Sequence, residues 1–216
     1  MLCYKRCRWT ALAAALLGVL ILGACNADRD APAQQMTGNL TPNQLAEPQT
    51  EDGQWPMAAK NYENTRYSGL DQINTGNVAG LKVAWTFSTG VDKGQEAAPI
   101  VVGDTMYVAT PFPHVLYALD LNNSGAIKWK YEPNPERAAQ GVACCDLVTR
   151  GAVYANGKVF INTLDDNTIA VDAATGKQIW KTKLGDINIG ESISMSPIVV
   201  KDKVIVGNRS EEHTSE

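Results

Sequence analysis

Two adjacent cysteines and an arginine stand in the stretch Gly141-Val-Ala-Cys144-Cys145-Asp-Leu-Val-Thr-Arg150-Gly151. Consecutive Cα atoms lie about 3.8 Å apart across a trans peptide, short of the usual disulfide span of roughly 4.4–6.8 Å. A Cys144–Cys145 bridge would therefore be a strained eight-membered ring, and strain of that kind is seldom kept for stability alone. The other reading of the doublet is two buried thiols acting as small hydrophobes. Thiolate–zinc chemistry is disfavoured, because no Cys pair has chelating spacing and His114 is the only histidine outside the leader and the last eight residues.

The surroundings bear on the choice. Lys5, Arg6 and Arg8 precede an apolar run from Trp9 to Leu22 that is too short for a comfortable membrane span and reads as an export signal. The run ends Leu22-Gly23-Ala24-Cys25, which resembles a lipobox with Cys25 as the lipidated new N-terminus. Ordinary secretory cleavage nearby is the alternative. Loss of the three basic residues moves the formal charge from −4 to −7, which disfavours nucleic acid as a partner. Cys3 and Cys7 leave with the leader and Cys25 would carry lipid, so in an oxidising compartment Cys144 and Cys145 have only each other. That argues for the vicinal bridge.

The elements that must position these groups are strands. Residues 26–52 are rich in Ala, Gln, Pro, Thr and Asn without apolar period and read as a flexible linker. From about residue 53, short β-branched and aromatic runs alternate with Gly, Asn and Asp, and no stretch has helical periodicity. Three hairpins align, over residues 98–108, 151–161 and 196–206, with Gly103-Asp104, Asn156-Gly157 and Lys201-Asp202 at the turns. Third and fourth strands follow the first two, over 116–120 and 127–129, then 169–172 and 178–180. Trp85, Trp129 and Trp180 recur at spacings of 44 and 51 residues, near the length of a four-stranded propeller blade. The predicted fold is all-β, a partial β-propeller of about three blade units, with Trp85 closing the unit before the first hairpin.

Ala170-Val-Asp-Ala-Ala-Thr-Gly-Lys-Gln-Ile-Trp180 resembles the tryptophan-docking motif of quinoprotein dehydrogenases. With Gly94-Gln-Glu-Ala-Ala-Pro99, the Cys-Cys stretch and Gly185-Asp-Ile-Asn-Ile-Gly-Glu-Ser-Ile-Ser-Met-Ser-Pro197, residues 53–208 resemble the methanol/ethanol dehydrogenases that use pyrroloquinoline quinone (PQQ), nearer the lanthanide-dependent type. The resemblance implies an eight-bladed ring and a Cys144–Cys145 disulfide lying flat against the quinone. It also implies cofactor contacts from Glu96, Arg150 and Ser194, the last standing where the family usually has Thr. The implied reaction is oxidation of a primary alcohol, with a calcium or lanthanide ion beside PQQ and electrons passed to a periplasmic cytochrome c. A homodimer is a further expected partner, and the Cys25 reading, separate from the resemblance, adds a membrane tether through lipid.

After Asn208 the family pattern continues with Ser-Gly-(Ala/Gly)-Glu, whose glutamate ligates the metal. Here the chain reads Arg209-Ser-Glu-Glu-His-Thr-Ser-Glu216, which resembles the translated start of a sequencing adapter and is expected to be a non-native tail. Glu212 falls at the ligand's register without the small residues that precede it in the family. No catalytic or metal-binding residue is therefore assigned within the chain, and the fragment alone is expected to be inactive. A non-enzymatic propeller lipoprotein of the outer-membrane assembly type is the competing reading; it has no use for Cys144-Cys145, Glu96 or Arg150.

Overall fold

The structure, a computed structural model, describes residues 53–143 and 147–210; the leader with Cys25, residues 26–52, Cys144, Cys145 and Asp146, and residues 211–216 lie outside the described residues. Among the described residues the regular structure is strand with single-turn 3-10 segments, and no helix is long and apolar enough to cross a membrane.

Two four-stranded antiparallel sheets repeat one another. The first runs β1 (Ile100–Val102), β2 (Thr105–Ala109), β3 (Leu116–Asp120) and β4 (Ala126–Tyr131); the second runs β5 (Val153–Ala155), β6 (Lys158–Thr163), β7 (Asn167–Asp172) and β8 (Gln178–Lys183). Asn156 and Gly157 at the β5–β6 turn both have left-handed φ, 50° and 72°, as a two-residue hairpin of this type requires. Each sheet shifts register once at an equivalent place, after Ala118 and after Ala170, the residues that face Trp129 and Trp180 across the ladder.

β9 (Glu191–Ser192) pairs with β12 (Arg209–Ser210), so the first two residues of the segment expected as a tail join a strand pair. Between them β10 (Ile198–Val200) and β11 (Lys203–Ile205) form the third hairpin, giving two full sheets and the two-stranded start of a third. The segment around Trp85, expected to close the unit before the first hairpin, has no strand among the described residues. No described strand pairs with that segment, which is held instead by side chains: Phe87 meets Tyr117 edge-on at 5.1 Å, and the Tyr117 hydroxyl donates to the Thr89 carbonyl at 3.2 Å.

Period-two alternation puts the second sheet between two neighbours. Tyr154, Val159, Ile161, Ile169 and Val171 pack with Ile100, Tyr107 and Leu116 of the first sheet, while Val153, Phe160 and Ala170 pack with Val199 of β10. Each fully buried aliphatic here contributes about 1.5–3 kcal/mol. β4 and β8 are mostly exposed, so burial falls from the middle strands to the outer edge, as in stacked propeller blades.

Candidate cofactor site

Because the sheets repeat, the loops leading into β1, β5 and β10 are equivalent, and they come side by side. Ala98 bridges Gly151 in parallel, and the Arg150 N–H donates to the Ser194 carbonyl at 2.9 Å. Gly151 stands at the first junction with φ 116°, a conformation that disfavours any side chain.

This arrangement brings together three residues that lie far apart in sequence. Arg150 Nη1 donates to Ser194 Oγ at 2.9 Å, and Arg150 Nε lies 4.0 Å from Glu96 Oε2. The guanidinium thus spans the other two side chains. Glu96 and Arg150 are half exposed, at 52% and 50%, so the pair contributes little to stability, while its donors and its carboxylate stay open to a ligand. The loop carrying Glu96 is pinned by its neighbour: Gln95 Nε2 donates to the carbonyls of Ala97 and Ala109 at 3.2 and 2.8 Å. Gln95 was not singled out in the sequence, where a lone glutamine on a loop carries no signal.

The remaining expected site residues, Cys144 and Cys145, lie outside the described residues. Their flanks are anchored: Val142, Ala143 and Leu147 pack against buried Ala139, Leu164 and Ile187, and the Phe112 N–H donates to the Leu147 carbonyl at 2.8 Å. Among the described residues no three of His, Cys, Asp and Glu converge as a metal centre. A guanidinium fork, a hydroxyl and a carboxylate converging on an open face suit a planar ligand that carries carboxylates and a hydrogen-bond donor of its own.

Residues 55–216 match the family model described as PQQ glucose/ethanol/alcohol dehydrogenase, beta-propeller domain. A lanthanide-dependent methanol dehydrogenase of Methylacidiphilum fumariolicum (strain SolV) is 55% identical over 166 residues, 76% of this chain and 27% of that protein. Subunit 1 of a methanol dehydrogenase [cytochrome c] from Methylorubrum extorquens is 44% identical over 84% of this chain and 30% of its own length. Among solved structures, a europium-containing methanol dehydrogenase superposes with a TM-score of 0.74 at 54% identity, over 78% of this chain and 29% of that one. The chain thus spans less than a third of the length of these relatives.

Proposed function

Because the chain belongs to the PQQ-dependent glucose/ethanol/alcohol dehydrogenase β-propeller family, we propose that it supplies one side of the cofactor site of a quinone-dependent alcohol dehydrogenase. The observation that carries this reading is Arg150 spanning Glu96 and Ser194 across three equivalent loops. When bound, PQQ with its calcium or lanthanide ion would supply the acceptor for the two electrons of alcohol oxidation. Arg150 and Ser194 would donate to cofactor carboxylates, Glu96 would accept from a ring donor, and the Cys144–Cys145 pair would pack against the cofactor face. The whole enzyme oxidises a primary alcohol such as methanol to the aldehyde and passes electrons to a cytochrome c. The protein is periplasmic, tethered through lipid on Cys25.

The test is cofactor titration of the whole enzyme followed by absorbance, beside dye reduction with methanol. Arg150→Ala, Glu96→Gln and Ser194→Ala should each weaken PQQ binding, Arg150→Ala most, by about tenfold or more. Unchanged affinity in all three would remove this reading of the site.

A further inference from the structure

A second polar cluster lies around Gly185 and uses none of Glu96, Arg150 or Ser194. Asp166, in the turn between β6 and β7, is fully buried at 0% exposure, and neither carboxylate oxygen has a hydrogen-bond partner. Its backbone is held on both sides: its N–H donates to the Thr163 carbonyl at 3.1 Å and its carbonyl accepts from Leu184 N–H at 2.7 Å. A Cβ on the next residue, Gly185, would stand 3.0 Å from Asp166 Cγ, 2.7 Å from Glu191 Oε2 and 2.4 Å from Asn208 Nδ2. Three side chains from three segments therefore crowd one glycine, two of them carboxylates. Glu191 is oriented for this, since its Oε2 accepts from the Asp186 N–H at 2.6 Å.

The charge of this cluster is not balanced from within. The nearby Lys183 ammonium is engaged by Glu136 at 2.6 Å. Asp165 and Asp186 add charge of the same sign, though both are committed: Asp165 accepts from the Thr163 hydroxyl and the Glu136 N–H, and Asp186 from Asn188. Burial, then Glu191, push the Asp166 carboxyl up to about 6. An ionised carboxylate buried without partner is among the costliest arrangements a fold can hold.

We infer that the side-chain cluster at Gly185 binds a hard divalent cation of the calcium class through the carboxylates of Asp166 and Glu191 and the side-chain amide of Asn208. A half-turn of the Asn208 amide presents its oxygen in place of its nitrogen. The donor set is then all oxygen, which favours calcium over zinc, with water completing a coordination shell of about 6–8.

The test uses the purified chain without PQQ, by equilibrium dialysis against calcium chloride and by thermal unfolding in EGTA or in calcium. The wild type should take up calcium saturably, and Asp166→Asn and Glu191→Gln should each weaken uptake at least tenfold, whereas the surface variant Glu132→Gln should not. Saturating calcium should raise the wild-type Tm by on the order of 5–10 °C. Asp166→Asn should melt above the wild type in EGTA, because the buried charge is gone, and below it in calcium. No saturable uptake by the wild type, equal uptake by wild type and Asp166→Asn, or an Asp166→Asn variant that melts higher in both solutions overturns the proposal; the last outcome would make Asp166 a buried acid that holds its own proton.

Discussion

The indole of Trp129 lies flat over Gly176, in the turn before β8 of the next sheet, so closely that a Cβ on Gly176 would stand 2.7 Å from the ring. The Trp129 Nε1–H donates to the Ala173 carbonyl in the same turn at 3.1 Å. Asp172 shapes that turn, accepting from the Thr175 N–H and hydroxyl at 2.8 and 2.7 Å. Trp85 repeats the relationship with Gly125, one sheet earlier, at 2.5 Å.

Gly176→Ala should therefore destabilise the chain by about 2–4 kcal/mol, combining left-handed backbone strain at φ 72° with collision against the Trp129 ring. Gly103→Ala is the control. It has a similar φ of 57° and nothing within 4 Å, so only the backbone cost of about 1–2 kcal/mol is expected. Denaturant unfolding of both variants checks this, and equal losses would mean that the indole contact contributes nothing.

His114 should make stability pH-dependent. It is 1% exposed, its Nε2 accepts from the Leu164 N–H at 3.3 Å, and burial, outweighing the Thr110 backbone and Asp165, pushes the imidazole down to about 4. Its contribution is fully present above the unfolded value of about 6.5 and is lost as pH falls from there towards the folded value, because only the unfolded chain takes up the proton. Between pH 7 and 5 the loss should be about 2 kcal/mol. Urea midpoints across that range should slope for the wild type and flatten for His114→Gln; parallel slopes would show that the histidine is not responsible.

Gln95 should act on the cofactor through Glu96 without touching it. Gln95→Ala removes both bonds that pin the loop, and PQQ affinity of the whole enzyme should fall about fivefold, equivalent to about 1 kcal/mol. Glu96→Gln should lose affinity while stability stays within about 0.5 kcal/mol, because its ion pair with Arg150 is half exposed. A Gln95→Ala variant with unchanged affinity would show that the loop is held by other contacts.

Cys144 and Cys145 should resist alkylation in exported protein until a reductant is added. Mass spectrometry of the peptide over residues 141–151 reads this directly, and label on both thiols without reductant would show free cysteines. Replacing Cys25 with Ala should move the protein from the membrane to the soluble periplasmic fraction; unchanged partitioning would point to ordinary secretion.

Sheet architecture was legible in the amino-acid sequence because it depends on local rules. The Asn156-Gly157 turn, the alternation through β6 and the recurring tryptophans each report a neighbour at fixed spacing, and the hairpins, the second sheet and its β8 ending follow from them. Trp85, expected to close the unit before the first hairpin, does meet Gly125 as Trp129 meets Gly176, while its segment is held by Phe87 and Tyr117 and pairs with no described strand. Resemblance named Glu96, Arg150 and Ser194 as one group, yet nothing in their spacing indicates that one guanidinium spans the other two. Tertiary structure decided that, because stacking equivalent sheets aligns the loops before β1, β5 and β10. The same stacking decided the crowding at Gly185. Asp166, Glu191 and Asn208 look like ordinary loop residues along the chain, and only the meeting of three segments leaves a carboxylate buried without a partner.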